Sequence, residues 1–478
     1  MKYLIGIDIG TSGTKTVKFD VDGNITKSKT AEYSISQPQN GWAEQDPEIW
    51  VKAAFETLEH VGLNNVAGIG LSGQMHGLVM LDENNEVIRP AILWCDQRTS
   101  DECNEITEDI GREKLFEITA SPAMTGFTLS KIMWIKKHEP DNFERCRHIL
   151  LPKDYIRFKL TGEFATDFSD ASGTQLLNIK NRCWSDELLD KFGINKKILP
   201  KLYESCEITG YYKDIPVVAG GGDNACTAVG CGTIKNGRAF TTIGTSGVVY
   251  AHTNTPVIDY AGRTHTFCSA VPNEWHIIGV TQAAGLSLKW FRENFVKDLS
   301  YADIDEIVKK VPVGAEKLLY LPYLMGERTP YLDSNARGVF FGISSIHKKE
   351  HFLRSIMEGV SYSLRDCLEV LKDNNVSVRD MTIIGGGSKS GVWREILSGV
   401  FNLPIKTSNC SDGAALGAAI LAGVGVGIYE SIDAACESIV KYSSLSKEDN
   451  PEEYDKFYAL YRKLYFSLKN DFRELMRL

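Results

Sequence analysis

The first thirty residues alternate between apolar and polar positions in a pattern that predicts three consecutive β-strands. Residues 3–9 and 14–19 form the first two strands, and Gly10-Thr11-Ser12-Gly13 is the turn between them. The Asp22-Gly23 pair favours a tight hairpin turn into a third strand over residues 25–33. The chain therefore begins with a β-meander.

Helical and strand patterns are mixed along the rest of the chain. Asp46 as an N-cap and Pro47 in the first turn predict the start of a helix whose apolar spacing covers residues 49–58. Further strands are predicted at 66–72, 78–81, 238–243, 248–252 and 381–384, and further helices at 129–137, 154–160, 351–371, 414–421 and after 454. The mixture predicts the α/β class.

The opening pattern occurs a second time in the chain. Gly244-Thr245-Ser246-Gly247 repeats the tetrapeptide between two predicted strands, 234 residues after Gly10, and an isoleucine precedes both copies. This shared context indicates the duplication of one domain. A length of 478 residues is also too great for one hydrophobic core. We place the boundary near residue 235, which gives an N-terminal domain over 1–235 and a C-terminal domain over 236–478.

The net charge indicates which classes of partner the protein can bind, and the cysteines indicate the redox state of its compartment. A net charge of −9 argues against nucleic acid or an anionic membrane as the main partner. The eleven cysteines show no Cys-x-x-Cys spacing and are typical of reduced thiols. The N-terminus does not resemble a signal peptide, and no apolar run is long enough to cross a bilayer. We therefore expect a cytoplasmic protein that acts on small molecules.

The two Gly-Thr-Ser-Gly turns are candidate phosphate sites. A tight hairpin presents backbone N–H groups together with the hydroxyls of Thr and Ser, and this set of donors suits a phosphate chain. An ordinary glycine-containing hairpin would explain either copy alone, but two copies predict that both domains hold one triphosphate. No Gly-x-x-x-x-Gly-Lys-Ser/Thr motif occurs, so a P-loop does not supply the site.

An acidic residue distinguishes the first copy from the second. Asp8 lies two residues before the first turn, whereas Thr242 holds the corresponding position before the second. An acid beside a phosphate turn suits a magnesium ion, usually through water. Because charge neutralisation dominates phosphoryl transfer, we predict that Asp8 is a catalytic acid linked to Mg²⁺.

A second acid follows three glycines. Residues 216–219 predict a buried strand, and Asp223 opens a helix directly after Gly220-Gly221-Gly222. An N-cap would explain this aspartate, but it could also accept the proton of a substrate hydroxyl. The helix N-terminus should keep Asp223 ionised, which would make it a better orienter of the hydroxyl than a base. Asn224 would bind neighbouring hydroxyls of the substrate.

Two further segments suit a polyol. Ser72-Gly73-Gln74-Met75-His76-Gly77 supplies an amide and an imidazole between glycines, and Trp94-Cys95-Asp96-Gln97-Arg98 adds an aromatic ring and two charges. Gly68 to Gly73 also matches the dinucleotide fingerprint Gly-x-Gly-x-x-Gly, but that motif must open a helix and a strand is predicted after it. A nicotinamide-dependent oxidoreductase is therefore the weakest alternative.

These motifs resemble the FGGY carbohydrate kinases, which belong to the actin, hexokinase and heat-shock chaperone ATPase superfamily. The resemblance rests on residues 7–13 and 243–247, on residues 126–138 with Lys131 and Trp134, and on residues 338–358, and it covers essentially the whole chain. It implies an α/β fold of two actin-like (ribonuclease H-like) ATPase domains that flank a deep interdomain cleft. It also implies ATP and Mg²⁺, with the sugar mainly on the first domain and the nucleotide mainly on the second.

Within the family, residues 73–77, 151–155, 220–225 and 326–330 are most similar to kinases that act on D-xylulose. The expected reaction is the ATP-dependent phosphorylation of D-xylulose to D-xylulose 5-phosphate, with Asp223 as general base and Asp8 as the metal-linked acid. Together, the motifs and the resemblance predict that the sugar is bound by Gln74, Met75, His76, Asp223 and Asn224. They predict that the nucleotide is bound by Gly10, Thr11, Ser12, Gly13, Lys15, Gly244, Thr245, Ser246, Gly386, Gly387 and Ser388.

Two alternatives remain open from the sequence. One is a kinase of the same family for another ketose or polyol, such as ribulose, gluconate or glycerol. The other is a non-catalytic nucleotide switch related to actin or to the chaperone ATPases, although Asp223 and the Gln74-Met75-His76 segment argue against it. The oligomeric state is open as well, with a homodimer as one expectation.

Overall fold

A computed structural model describes residues 2–409, 412–446 and 451–478. Each half of the chain builds a mixed sheet of seven strands. From one edge to the other, the first sheet contains Ile208–Tyr212, Ile215–Val218, Val66–Gly73, Tyr3–Ile9, Gly13–Asp20 and Ile25–Glu32, with Gly221–Gly222 also paired to Val66–Gly73. The second contains His265–Cys268, Trp275–Thr281, Gly247–Thr253, Arg238–Ile243, Asp380–Ile384, Ile405–Ser408 and Tyr442–Ser446.

The two sheets share the order and direction of their central strands. Tyr3–Ile9 pairs antiparallel with the strand after its turn and parallel with Val66–Gly73. Arg238–Ile243 pairs in the same way, antiparallel with Gly247–Thr253 and parallel with Asp380–Ile384. The predicted two-domain α/β architecture is therefore confirmed, and the common topology supports a duplication.

Short strand pairs and helices complete the two halves. The short pairs are Glu44–Gln45 with Ala91–Ile92, Val79–Leu81 with His148–Leu150, Ala165–Asp167 with Lys201–Tyr203, Leu177–Asn178 with Cys183–Trp184, and Leu319–Leu321 with Val339–Phe341. Helices of the first half are Pro47–Val61, Ser100–Ile110, Arg112–Thr119, Thr128–His138, Pro140–Arg145, Pro152–Thr161, Phe168–Ser172, Asp186–Phe192 and Asp223–Gly230. Those of the second half are Gly285–Phe295, Tyr301–Val308, Lys349–Asp373, Gly391–Phe401, Gly413–Gly425, Ile432–Ile439 and Pro451–Leu475, and 3₁₀ turns occur at Lys196–Ile198 and Gly386–Lys389.

Local sequence signals explain where these elements start. The Asp46 side chain caps the helix Pro47–Val61 by accepting from the Glu48 N–H, and Pro47 occupies its first turn. Gly68 to Gly73 lies within the strand Val66–Gly73 rather than at the start of a helix, so it cannot hold a pyrophosphate as a dinucleotide fingerprint would.

Side chains alternate along the first strand, Tyr3–Ile9, and its two faces pack against different helices. Ile5, Ile7 and Ile9 are buried on one face against the helix Pro47–Val61. Leu4 packs on the opposite face against the helix Gly413–Gly425, which we call the seam helix. Side chains of a strand alternate between its two faces, so Asp8, four residues after Leu4, lies on the same face as Leu4 and faces the seam helix.

The seam helix belongs to the second half of the sequence but packs on the first sheet. A Cβ atom placed on Gly6 would lie 1.8 Å from the Ala415 carbonyl oxygen, and one on Gly70 would lie 1.9 Å from that of Ala418. Only glycine on these strands permits such a close approach of the helix. The division at residue 235 thus separates the sheets, while the domain bounds 1–235 and 236–478 stay a prediction.

A second helix meets the seam helix at the junction of the two halves. The helix Asp223–Gly230, which we call the base helix, packs so closely that a Cβ atom on Gly417 would lie 1.8 Å from the Cys226 carbonyl oxygen. Ala228 of the base helix reaches Phe240 and Tyr250 of the second sheet. The two helices therefore join the sheets. They pack antiparallel, because a Cβ atom on Gly230, at the end of the base helix, would lie 1.9 Å from the carbonyl oxygen of Gly413, at the start of the seam helix.

Within the described ranges, the structure contains no helix that is both long enough and apolar enough to cross a membrane.

Candidate active site

Asp8 lies where the seam helix begins. The Ser72 hydroxyl donates to Asp8 Oδ1 at 2.9 Å, and the cavity beside Asp8, of about 210 Å³, is also lined by Lys15, Asp412 and Gly413. Lys15 forms an ion pair with Asp412. Burial raises the pKa of the Asp8 carboxyl; the Ser72 hydrogen bond opposes this, and the charge of Asp412 adds to it. A second positive charge in this cavity would relieve the repulsion between the two acids.

Asp223 lies at the start of the base helix. It is half-buried, and its Oδ1 accepts hydrogen bonds from the backbone N–H of Asn224 at 2.7 Å and from the Asn224 side-chain amide at 3.0 Å. Burial raises the pKa of Asp223 to about 7, and the negative charge of Asp8 contributes. The expectation that the helix N-terminus keeps Asp223 an ordinary ionised acid is therefore wrong, because desolvation and Asp8 outweigh the helix dipole.

This change strengthens the chemical case for Asp223. A carboxylate with a pKa near 7 is a better proton acceptor than an ordinary aspartate and is still half ionised at neutral pH. Gly222, not Asp223, holds the N-cap position, and no side chain caps this helix. The N-cap alternative therefore does not explain the aspartate.

His76 faces the cleft in a strained backbone conformation. Its φ angle is +69°, a region that residues with a side chain rarely adopt, and its Nδ1 lies 2.9 Å from the Gly173 carbonyl oxygen. Burial lowers the pKa of His76 to about 3, so the ring is neutral. A neutral ring that donates from Nδ1 keeps Nε2 as a hydrogen-bond acceptor for a hydroxyl.

Lys131 holds the backbone of His76 through a hydrogen bond to its carbonyl oxygen. Its Nζ is fully buried and donates to the carbonyl oxygens of His76 at 2.8 Å and of Gly126 at 2.7 Å. The His76 ring also lies against Phe127, with ring centroids 4.6 Å apart. Lys131 was identified only as part of a family signature, and its supporting role depends on contacts that sequence reasoning missed.

Met75 and Gln74 have different surroundings from those of His76. Met75 is buried against Gly222, because a Cβ atom on that glycine would lie 2.9 Å from the Met75 sulfur. Gln74 is 2% exposed and accepts from the Thr11 hydroxyl at 3.0 Å. The Trp94 indole N–H donates to the same hydroxyl at 2.9 Å. Gln74 thus supports the turn at Thr11, and its direct contact with a sugar stays a prediction.

The two glycine turns are anchored through their carbonyl groups. Gly10 O accepts from the Tyr33 hydroxyl at 2.7 Å, and Thr11 O accepts from the Gln45 amide at 2.9 Å. In the second turn, Thr245 O accepts from the backbone N–H of Ala284 at 3.0 Å. Ser12, Gly244 and Thr245 are exposed at the tips of the turns. Anchored carbonyls and exposed tips fit the predicted phosphate contacts of Gly10, Thr11, Ser12, Gly13, Gly244, Thr245 and Ser246.

A large cavity extends from the second turn. It has a volume of about 540 Å³ and is lined by Ile243, Gly244, Thr245, Gly285, Leu286, Leu288, Lys289, Tyr301, Ala302, Asp305, Met357, Gly386, Gly387, Lys389, Ser390 and Trp393. Gly244, Thr245, Gly386 and Gly387 were predicted to bind nucleotide, and the structure brings them together here. Ser388, which was also predicted to bind nucleotide, is not among these lining residues, and its hydroxyl donates to Gly385 O at 2.7 Å.

Asp305 and Ser390 form a polar pair in this cavity that sequence reasoning missed. The Ser390 hydroxyl donates to Asp305 Oδ1 at 2.7 Å, and burial raises the pKa of Asp305. Leu288, Met357 and Trp393 supply apolar surface around it. An apolar slot with a few polar groups suits a purine nucleoside.

The Trp94–Arg98 segment contributes less than the sequence indicated. Arg98 pairs with Asp96 at 2.7 Å and with Glu44 at 2.8 Å, and its guanidinium lies 3.6 Å from the centre of the Trp42 ring. Because Asp96 is fully buried in this network, it holds the fold together rather than binding a sugar. Trp94, which is exposed and reaches Thr11, is the part of the segment that lies at the cleft.

A buried ionic network supports the start of the base helix. Lys153 Nζ lies 2.9 Å from Asp167 Oδ1, Ser169 donates to Asp167 at 2.5 Å, and the backbone N–H of Gly222 donates to the Ser169 hydroxyl at 3.1 Å. Although burial favours a neutral amine, the three nearby aspartates raise the pKa of Lys153. This chain of contacts holds Gly222, and through it Asp223, in a fixed position.

Comparison with known proteins agrees with this arrangement. Residues 3–230 match the model of the N-terminal domain of the FGGY family of carbohydrate kinases, and residues 239–426 match the model of its C-terminal domain. The xylulose kinase of Bacillus subtilis is 39% identical over 98% of both chains. A ligand-bound xylulose kinase of Lactobacillus acidophilus has a TM-score of 0.94 at 28% identity, with 99% of this chain and 100% of that one covered. A gluconate kinase of the same species has a TM-score of 0.93, also at 28% identity, with 99% of both chains covered.

The duplicated glycine turns, the two acids at the helix starts and these matches all point to one assignment. The chain belongs to the FGGY family of carbohydrate kinases.

Proposed function

We propose that this chain transfers the γ-phosphoryl group of ATP to D-xylulose and forms D-xylulose 5-phosphate. The observation that carries the proposal is the position of Asp223, a carboxyl of raised pKa that follows Gly222, the glycine packed on Met75, and lies within reach of the charge of Asp8. Such a carboxyl accepts the proton of a sugar hydroxyl as the hydroxyl attacks phosphorus. The xylulose kinases among the relatives support D-xylulose as the acceptor.

Each of the remaining groups has a role in this reaction. The 540 Å³ cavity would hold the nucleoside, and the N–H groups of the two glycine turns would hold the phosphates. The neutral His76 ring would accept a hydrogen bond from a second hydroxyl, and Asn224 would bind a third. Closure of the two halves would exclude water and place the hydroxyl in line with the γ-phosphorus.

We infer a magnesium ion at the Asp8 cavity. Bound there, it would neutralise charge on the phosphates during transfer. Asp8 and Asp412 supply an excess of negative charge, which fits a divalent cation. Within the described ranges no group of three acidic, histidine or cysteine side chains could hold a metal, and this fits an ion bound mostly by phosphate and water.

The remaining expectations concern context. The ten described cysteines are all free thiols, which supports a reducing, cytoplasmic environment. A homodimer stays a prediction.

A sugar panel tests the proposed substrate. ADP release would be followed with D-xylulose, D-ribulose, D-gluconate and glycerol at matched concentrations. We expect kcat/KM to be highest for D-xylulose. A higher value for any other member would replace D-xylulose as the substrate. ATP turnover that does not depend on any sugar would instead favour a nucleotide switch.

Replacing Asp8 by asparagine should weaken the binding of Mg²⁺ to the enzyme. The amide keeps the shape and can still accept from Ser72, but it removes the charge that a water-linked Mg²⁺ requires. We expect the Mg²⁺ concentration for half-maximal rate to rise by about 10- to 100-fold, as for other residues that bind a metal through an intermediate group. The measurement is initial rate against free Mg²⁺ at saturating ATP and sugar.

The matched control for Asp8→Asn is Asp46→Asn, an aspartate that caps a surface helix. Its Mg²⁺ dependence should equal that of the wild type. An unchanged Mg²⁺ requirement in Asp8→Asn would remove Asp8 from the metal site.

A further inference from the structure

Arg328 belongs to a loop that is fixed beside the second glycine turn. Thr329 exchanges two hydrogen bonds with Val280, from its backbone N–H to Val280 O and from the Val280 N–H to its hydroxyl, both at 3.0 Å. Glu327 accepts from the Thr281 hydroxyl at 2.7 Å, and Thr281 pairs with Gly247 at the end of the turn. The backbone on both sides of Arg328 is therefore held at the cleft edge of the second sheet.

The Arg328 side chain extends from there to the first half of the chain. Its Nη2 lies 3.5 Å from the sulfur of Met124. Its positive charge also lowers the pKa of His76 and of His265, so the guanidinium lies near both rings. Arg328 thus crosses the cleft and reaches the pocket that contains His76.

The guanidinium has few partners for a charged group. Arg328 is half-buried, and among the described residues its Nε has no hydrogen-bond partner. The acidic neighbour Glu327 accepts from the Arg328 backbone N–H, and its charge acts on the guanidinium. Burial lowers its pKa to about 10, so it is still a cation at neutral pH. Withdrawing such a group from water while its Nε has no acceptor is unfavourable, and a ligand that accepts hydrogen bonds would offset this.

The pocket has an acidic end and a basic end. The negative charge of Asp8 acts on Asp223, whereas the positive charges of Lys131 and Arg328 act on His76. The hydroxyl that is phosphorylated must lie at the acidic end, beside Asp223. The opposite end of the same sugar then lies toward Arg328.

A guanidinium offers donors and no acceptor. It therefore suits an oxygen that has no proton of its own, such as a ketone or a carboxylate, better than it suits a hydroxyl. In D-xylulose the ketone at C2 is three carbons from the hydroxyl at C5. Binding C5 at Asp223 brings C2 to the basic end of the pocket.

We propose that Arg328 donates hydrogen bonds to the carbonyl oxygen of the sugar and so selects a ketose over the corresponding alditol. The proposal deepens the proposed function and rests on it. A carboxylate at the same end, as in an aldonate, has the same acceptor chemistry, so the test includes D-gluconate. Arg328 is a specificity-determining residue in this account, and Asp223 remains the base.

The test compares a ketose with an alditol that has the same carbon chain. D-Xylulose and xylitol differ only at C2, where the ketone is replaced by a hydroxyl. The dissociation constants of both would be measured for wild type, Arg328→Met and Arg328→Lys, together with kcat/KM for D-xylulose. Methionine keeps much of the length of the stem, and lysine keeps the charge without the planar pair of donors.

We expect Arg328→Met to raise the dissociation constant of D-xylulose by about 10- to 100-fold, the range for a hydrogen bond to a charged group. The dissociation constant of xylitol should change by less than about threefold, and that of MgATP should not change. Arg328→Lys should lie between wild type and Arg328→Met. Equal weakening of both sugars, or no change in either, would overturn the assignment.

The result with D-gluconate separates this inference from the proposed substrate. If the wild type uses D-gluconate instead of D-xylulose and Arg328→Met loses it selectively, the substrate proposal fails and the role of Arg328 stands. If the wild type uses D-xylulose and Arg328→Met keeps the preference over xylitol, the role of Arg328 fails and the substrate proposal stands. Thermal unfolding of each variant shows whether a loss comes from misfolding.

Discussion

Replacing Asp223 by asparagine is expected to lower kcat by about 10²–10⁴-fold, the range for the loss of a general base. Asparagine has nearly the same volume, so the start of the base helix and its contact with Met75 should persist. The amide cannot accept the proton of the attacking hydroxyl. The dissociation constant of MgATP should be unchanged, because the nucleotide cavity lies in the second half of the chain.

Asp186→Asn is the matched control for this variant. Asp186 also occupies the first position of a helix, but its side chain is 72% exposed and forms a surface ion pair with Lys196. Its kcat should equal that of the wild type. A turnover of Asp223→Asn within about tenfold of the wild type would be too small a loss for a general base and would contradict the assignment.

The pH dependence supplies an independent measurement on the same carboxyl. The raised pKa of Asp223, about 7, means that the proton-accepting form is lost as the pH falls. The kcat/KM of the wild type should therefore decrease on the acidic side, and the residual activity of Asp223→Asn should not show that decrease. An identical acidic limb in both proteins would assign it to another group.

The second large effect is expected at the contact between the seam helix and the first sheet. Gly6→Ala places a methyl group 1.8 Å from the Ala415 carbonyl oxygen, where the neighbour is helix backbone and cannot rotate away. The helix would have to move outward along its length. We expect the free energy of unfolding to fall by more than about 3 kcal/mol, the upper part of the range for overpacked cores. Urea denaturation followed by circular dichroism would measure it, and Gly70→Ala should behave alike.

Gly413→Ala is the matched control for Gly6→Ala. It lies on the seam helix itself, and its added methyl group would meet nothing closer than 3.6 Å. Its free energy of unfolding should stay within about 1 kcal/mol of the wild type, since alanine also favours a helix. If Gly6→Ala were as stable as Gly413→Ala, the close packing of helix and sheet would be wrong.

Local patterns predicted most of the fold. The alternation over residues 3–33, the Asp46 cap and the repeated Gly-Thr-Ser-Gly turn are short-range signals, and each produced the expected element. The position of the seam helix could not be predicted in this way. Gly6 and Gly413 are separated by more than 400 residues, and no local signal states which sheet that helix covers.

The candidate site shows the same limit. Asp8 and Asp223 were found from their positions beside glycines, yet the raised pKa of Asp223 depends on burial and on Asp8, which only the folded chain brings near. Arg328 was visible only as a member of a family motif. Its importance depends on the unpartnered Nε and on its approach to His76, and neither can be seen in the sequence around it.

The crossing of the seam helix to the first sheet also determines the order in which the protein can be completed during synthesis. Residues 3–230 leave the ribosome before the helix that covers one face of their sheet has been made. At the usual rates of translation the intervening residues take about 10–40 s to synthesise. During that interval the apolar surface around Leu4 and the narrow groove at Gly6 and Gly70 have no partner. The newborn first half is therefore a natural client for chaperones, and it becomes independent of them only when the seam helix, residues 413–425, has emerged.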